Sequence, residues 1–221
     1  MTGRTRRLAS GRGNGVRLDV VTAIVGLTGG IASGKSSVAS ILRAEGVVIV
    51  DADEVAREVV AKGSPGLSAV VEAFGPHILG PGGELDRKAL GARVFADAEA
   101  RRQLEAITHP RIFARSMEKL GAVAASGAPY GMYDAALLVE NGSHRMMQAL
   151  VVVAAPRALQ RARIVARDGL TEAEADARID AQLPLEQKIA VADHVIWNDA
   201  DLGTLRARTL DVHRRLTEQF A

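Results

Sequence analysis

The spacing Gly29-x-x-x-x-Gly34-Lys35-Ser36 brings together residue types that suit the phosphates of a nucleoside triphosphate. Glycines let the backbone bend so that successive N–H groups point into one hollow, and a helix starting directly after the turn adds the positive end of its dipole. Lys35 is placed to bridge the β- and γ-phosphates, and the Ser36 hydroxyl to ligate Mg2+. The expected ATP-binding residues are Gly29, Gly30, Ile31, Ala32, Ser33, Gly34, Lys35, Ser36 and Ser37. No G-x-G-x-x-G follows the first apolar run, which argues against a dinucleotide-binding fold.

Moving a phosphoryl group also requires something that orients or deprotonates the acceptor. Asp51 and Asp53 directly follow an apolar run, where the carboxyl end of a parallel strand would present them. One residue apart, the two carboxylates tend to point differently, so that one faces the phosphates while the other packs or caps the next helix. Asp134 ends another apolar run and is a rival for metal binding or for the base. The charge that builds during transfer calls for cations. Arg163 and Arg167, four apart on one helical face, supply them in one reading; in the other they belong, with Arg157, Arg161 and Arg178, to a solvated face.

Such residues need a scaffold that holds strand ends side by side. Residues 23–28 form a short apolar run that suits a buried strand, and the glycine-rich turn leads into a helix with Val38, Ile41 and Leu42 at helical spacing and Gly46 as its stop. Residues 47–50 are a continuous β-branched run closing on Asp51, as expected for a strand covered on both faces. The pattern is then mostly helical from Glu54 to about Gly127, with starts at Ser64-Pro65, Asp86 and Asp97. Strand-like runs return at 130–134 and 149–153, with a weaker one at 194–197. Pro156 opens a helix through Arg167, Thr171 and Glu174 make a capping box, and a last helix covers about 202–220. Strands alternating with helices predict an α/β fold, a parallel sheet flanked by helices. Its core comprises 23–53, 130–153 and 190–221, with a helical subdomain at about 54–128 and a further helical segment at about 156–188.

Hydrophobic residues make up 48% of the 221-residue chain and charged residues 24%, enough for one substantial core with a small appended subdomain. The absence of cysteine excludes a disulfide framework, a thiol nucleophile and cysteine-ligated metal. No apolar run approaches the roughly 20 residues of a membrane helix, and residues 1–20 lack the apolar centre of a signal peptide. A cytoplasmic location without a membrane partner is therefore expected. Removing Arg4, Arg6, Arg7, Arg12, Arg17 and Asp19 from totals of 28 basic and 26 acidic residues leaves 23 and 25, a charge of about −2 for the body. A neutral-to-acidic body argues against a nucleic-acid partner. Residues 1–20, rich in Gly, Ser, Thr and Arg, are expected to form a disordered basic extension. The alternatives are a transit peptide, an RNA-contacting arm, or a start assigned upstream of one at Val21. Nothing in the sequence specifies an oligomeric state.

With these segments in place, the chain resembles the dephospho-coenzyme A kinase family, a group of P-loop kinases, from about residue 23 onward. The resemblance is carried in order by Leu27 through Ser36, by Asp51-Ala52-Asp53 with Ala56-Arg57, and by Gly63-x-Pro65-Gly66, Phe74-Gly75 and His109-Pro110 with Ile112. It continues through Leu137-Leu138-Val139-Glu140, Gln160-x-x-Arg163-x-x-x-Arg167-Asp168, Gln182-x-Pro184, Ala192-Asp193-x-Val195-Ile196 and Asn198. The resemblance implies a P-loop core, a helical acceptor-binding subdomain and a mobile lid. It also implies phosphorylation of the ribose 3′-hydroxyl of dephospho-coenzyme A by ATP with Mg2+, giving coenzyme A and ADP. Asp53 would be the catalytic base, Lys35 and its loop would bind ATP, and Arg163 or Arg167 would act from the lid. Arg57 and His109 become acceptor-side candidates, although His109 also fits a packed histidine before a proline. Three positions depart from the family pattern: Ala32 for a frequent glycine, Ala136 for a usual proline, and Trp197 for a polar residue.

Other functions make different demands. The loop alone specifies the donor, so another small-molecule or nucleotide kinase is the nearest alternative, and the later segments argue against it. A GTP-binding switch would need a guanine-reading N-K-x-D after a late strand, which the chain lacks. A coenzyme-binding protein without turnover would have no use for Lys35, Ser36 and Asp53 together.

Overall fold

Five short apolar runs line up as one parallel sheet, the chain returning between them through helices or, from the third to the fourth, through residues 135–148 with one short 3-10 turn. The computed structural model describes residues 22–221, so the expected disordered extension over 1–20 lies outside the described residues. The strands are β1 (Ala23–Gly29), β2 (Ile49–Asp51), β3 (Tyr130–Asp134), β4 (Ala149–Ala154) and β5 (His194–Trp197). Their order across the sheet is β2-β3-β1-β4-β5, with every neighbouring pair parallel. β1 is central, and the chain crosses first to one side of it and then to the other. That reversal opens a crevice at the carboxyl ends of the strands, the usual place for a ligand in such a sheet.

The helices are α1 (Lys35–Ala44), α2 (Ala52–Glu58), α3 (Pro65–Phe74), α4 (Arg87–Ala96), α5 (Ala98–Ala124), α6 (Arg157–Asp168), α7 (Glu172–Asp180), α8 (Leu185–Ile189) and α9 (Leu202–Phe220). β4 shows why the sheet is covered on both sides. Val151 and Val153 pack with Val38 and Leu42 of α1 and Leu205, Val212 and Leu216 of α9, whereas Leu150 and Val152 pack with Leu138 and with Leu185 and Ile189 of α8. Alternate side chains thus meet different helices, and full burial of each Val or Leu is worth roughly 1.5–3 kcal/mol.

The helix starts at Ser64, Asp86 and Asp97 are all present as caps. Ser64 Oγ accepts from the N–H of Leu67, Asp86 from Lys88 and Ala89, and Asp97 from Glu99 and Ala100. Around them a second cluster of Val60, Val70, Phe74, Ile78, Leu90 and Ala100 forms away from the sheet, which gives the helical segment a small core of its own. The Thr171–Glu174 capping box is also in place.

β2 is shorter than the run 47–50 suggests. The N–H of Gly46 (φ 86°) donates to Arg43 O and that of Val47 to Leu42 O, so these residues close the end of α1 instead of joining the sheet. Val47 still packs in the core, while the Val48 carbonyl accepts from Met132 N, and the ladder proper begins at Ile49.

Candidate active site

At the end of β1 the chain turns through residues 30–34 and enters α1 at Lys35. Glycine is required at two points of this turn. A Cβ on Gly29 would lie 2.5 Å from the Val153 carbonyl oxygen, and Gly34 has φ 93° with Asn198 Nδ2 only 2.1 Å from where a Cβ would stand. Ala32 also adopts the left-handed region, with φ 55°, which explains why the family often has glycine there. The first bonds of α1 run from Ser37 and Val38 N–H to the Gly34 carbonyl. The N–H groups of Lys35 and Ser36 therefore precede the helical ladder and are available to an anion, beside the exposed Ser36 side chain.

The back of this loop is held from far away in the sequence. Gln160 Nε2 on α6 donates to Ile31 O and Gln182 Oε1 accepts from Ile31 N, each at 2.7 Å, so both sides of one residue's backbone are gripped. Arg163 donates to Ala32 O and Asn198 O, both at 3.2 Å, and Asn198 Nδ2 donates to Ser33 O at 2.8 Å. Because Gln182 takes the Ile31 N–H and Gly30 O takes that of Ser33, the N–H groups at the start of α1 are the ones left for an anion. Gln160, Gln182 and Asn198 carry this arrangement, and only their place in the family pattern pointed to them. Their partners are 129, 151 and 165 residues away, so no local periodicity could mark them. Arg167 lies one turn beyond Arg163, exposed and paired with Asp168, which also pairs with Arg178.

Three carboxylates gather on the β2–β3 side. Asp51 and Asp134 are register partners at the ends of β2 and β3. Lys35 Nζ forms an ion pair with Asp134, whose side chain is only 2% exposed against 20% for Lys35. Burial pushes the Asp134 carboxyl above the usual carboxylate range; the Lys35 charge opposes this, and Asp51 reinforces it. Burial therefore outweighs the ion pair. Asp51 caps α2, accepting from Asp53 N at 2.8 Å and Glu54 N at 3.1 Å. Asp53, in the first turn of α2, is exposed, so of the two neighbouring aspartates one is the cap and the other points away from it. Arg57, one turn further along α2, is exposed as well.

His109 is exposed in the middle of the 27-residue α5, next to Pro110 within the same helix, and is not a packed core histidine. Glu58, next to Arg57 at the end of α2, is engaged by Lys119 at 2.5 Å and Arg115 at 2.6 Å, which hold its carboxyl below the usual range. A cavity of about 470 Å³ lies among α6, α7 and α8, and it touches the loop only through Gly30. It contains none of Lys35, Asp53 and Asp134, so it is separate from the centre where charges converge. Among the described residues, no helix is long and apolar enough to cross a membrane.

A lysine at the helix start, backbone donors beside it outside the helical ladder and carboxylates on neighbouring strand ends are together equipped for phosphoryl transfer. Comparison with known proteins agrees. The family model of dephospho-CoA kinase matches residues 23–203. A dephospho-CoA kinase of Anaeromyxobacter dehalogenans is 54% identical over 79% of this chain and 83% of its own length. That of Geobacter sulfurreducens is 46% identical over 86% and 96%. The solved dephospho-CoA kinase of Campylobacter jejuni superposes with a TM-score of 0.66 at 28% identity, covering 90% of this chain and 99% of that one. With the matching model running from the first strand into the last helix, and these relatives aligned over most of their lengths, the chain belongs to the dephospho-CoA kinase family.

Proposed function

We propose that this protein transfers the γ-phosphoryl group of ATP to the ribose 3′-hydroxyl of dephospho-coenzyme A, releasing coenzyme A and ADP in the last step of coenzyme A synthesis. The observation that carries the assignment is the meeting of Lys35 and Asp134 at the mouth of the loop, with Asp53 exposed where β2 gives way to the helical subdomain. The N–H groups at the start of α1 cradle the phosphates, and Lys35 exchanges part of its contact with Asp134 for the β- and γ-phosphate oxygens. Asp53 accepts the 3′-hydroxyl proton as the oxygen bonds to the γ-phosphorus. The bond to the bridging oxygen then breaks, and its electron pair leaves with ADP. The Ser36 hydroxyl and the Asp134 carboxylate are hard oxygen donors of the kind Mg2+ prefers, and the ion when bound would offset charge on the β- and γ-phosphates. Arg57 and His109, both exposed on the acceptor side, are assigned to the phosphates of the substrate.

The lid comprises α6 to α8, and its two arginines have different tasks. Arg163 holds the loop. Arg167 has only an exposed ion pair to exchange, at little cost, for a phosphate oxygen. A cytoplasmic location suits a reaction that draws on ATP and supplies coenzyme A.

ADP release with ATP and Mg2+ across dephospho-coenzyme A, adenosine, AMP and shikimate tests the acceptor. Dephospho-coenzyme A should be the best acceptor by kcat/KM. Preference for any of the other three would overturn the assignment.

A further inference from the structure

Lys188 on α8 is a buried charge that the proposed reaction does not use. Its side chain is 0% exposed, and Nζ contacts Glu140 Oε1 at 2.6 Å and, more distantly, the Ala136 carbonyl at 3.4 Å. That carbonyl also accepts from Thr28 Oγ1 at 3.0 Å, and Thr28 is itself fully buried. Three segments of different function thus meet at one carbonyl: β1 one residue before the loop, the stretch just after Asp134, and the helix by which the lid returns to the sheet. Within the stretch after β3, the N–H of Ala135 is tied to Leu27 O.

Adhesion does not explain the lysine. Leu185 and Ile189 already dock this region against Leu138, Leu150 and Val152, with Ala192 just beyond the helix. Positions 185, 188, 189 and 192 recur at helical spacing, so Lys188 interrupts an apolar stripe. A buried ion pair adds little net stability compared with apolar residues of similar volume, whereas directional bonds fix relative position. The junction draws on a backbone carbonyl of residue 136, which alanine supplies as well as proline does, so the Ala136 departure is compatible with it.

We infer that Lys188, through Glu140 and the Ala136 carbonyl, is a positioning residue that sets the lid's return helix and the Asp134 segment in register with the phosphate loop. The inference rests on the loop and Asp134 being the phosphoryl-transfer centre. Misplacement of reacting groups by a fraction of an ångström to an ångström costs rate without abolishing binding.

The test uses the full chain carrying Lys188→Met with Glu140→Leu, which replaces the pair by apolar groups. ADP release with dephospho-coenzyme A is measured alongside the unaltered protein, together with thermal melting. The expected result is a melting temperature near that of the unaltered protein and KM values within about twofold, with kcat lowered by about tenfold or more. Unchanged kcat overturns the inference, and so does a kcat loss that tracks a lowered melting temperature and recovers on cooling. If the double variant does not fold, Glu140→Gln keeps the volume and one acceptor oxygen. It should lower kcat about threefold or more at unchanged KM, and an unchanged kcat again overturns the inference. Failure of the unaltered protein to use dephospho-coenzyme A, with turnover of another acceptor, would refute the substrate assignment instead, and Lys188 would then be judged on that acceptor.

Discussion

The phosphate loop and the start of α2 differ in how they are held. Behind the loop, Gln160, Arg163, Gln182 and Asn198 reach backbone atoms of Ile31, Ala32 and Ser33, and Lys35 in front meets a buried carboxylate. At the start of α2, only Asp51 is engaged as a cap, while Asp53 and Arg57 project into solvent, as His109 does from α5. Donor phosphates have the same shape in every turnover, and a prearranged cradle lowers the cost of organising charge around them. The acceptor must enter and leave, and the side chains assigned to it stand where it can reach them. Nucleotide affinity and chemistry should therefore respond to different substitutions.

The largest effect is expected at the open half. Asp53→Asn preserves size but removes basicity, and turnover should fall by about 10²–10⁴-fold while ATP affinity stays nearly constant. Rate and affinity falling together would place Asp53 in the nucleotide cradle and erase the distinction. Lys35→Ala attacks the closed half and should cost about 10²–10³-fold in turnover, with weakened ATP binding measured by calorimetry. Turnover like that of the unaltered protein would mean that the loop is not the working site.

The two arginines sharpen the comparison within one helix. Arg163→Ala should loosen the loop, weakening ATP binding by about tenfold and lowering the melting temperature, because carbonyls it satisfied lose a charged donor. Arg167→Ala should lower kcat by about tenfold or more, with melting and ATP affinity intact, since its ion pair with Asp168 is exposed. Identical behaviour of the two variants would contradict separate tasks.

Much of this architecture was legible in the chain for local reasons. The loop is recognisable because phosphates demand backbone donors at close range, and Asp86, Asp97 and Ser64 because a helix start leaves N–H groups that a short polar side chain satisfies. All five strands were legible. The strand starts later than the run 47–50 suggests because a β-branched residue such as Val47 serves equally well in closing a helix against the core, while Val48 is exposed and gives the sheet only its carbonyl. The clasp behind the loop was not legible as a mechanism, since it joins side chains to backbone across more than a hundred residues. Lys188 did leave a signal in its position on an apolar stripe, yet the sequence alone cannot tell a buried lysine from one that reaches to solvent along such a stripe.

The smallest effect concerns stability. Because burial raises the Asp134 carboxyl above its ordinary value near 3.8, the stability associated with this group is complete below that value and is lost as pH rises through the raised one. Asp134→Asn mimics the protonated form. Without nucleotide, the variant should melt a few degrees above the unaltered protein at pH 7, and the gap should close as pH falls toward the ordinary carboxylate range. A variant less stable at pH 7 would show that the Lys35 attraction outweighs burial.

The most direct measurement identifies the product. Dephospho-coenzyme A incubated with ATP, Mg2+ and the full chain should yield, by mass spectrometry and phosphorus NMR, one new monoester phosphate on the ribose 3′-oxygen, with an equal amount of ADP. A phosphate at any other position, or ADP formed without a phosphorylated acceptor, would contradict the account.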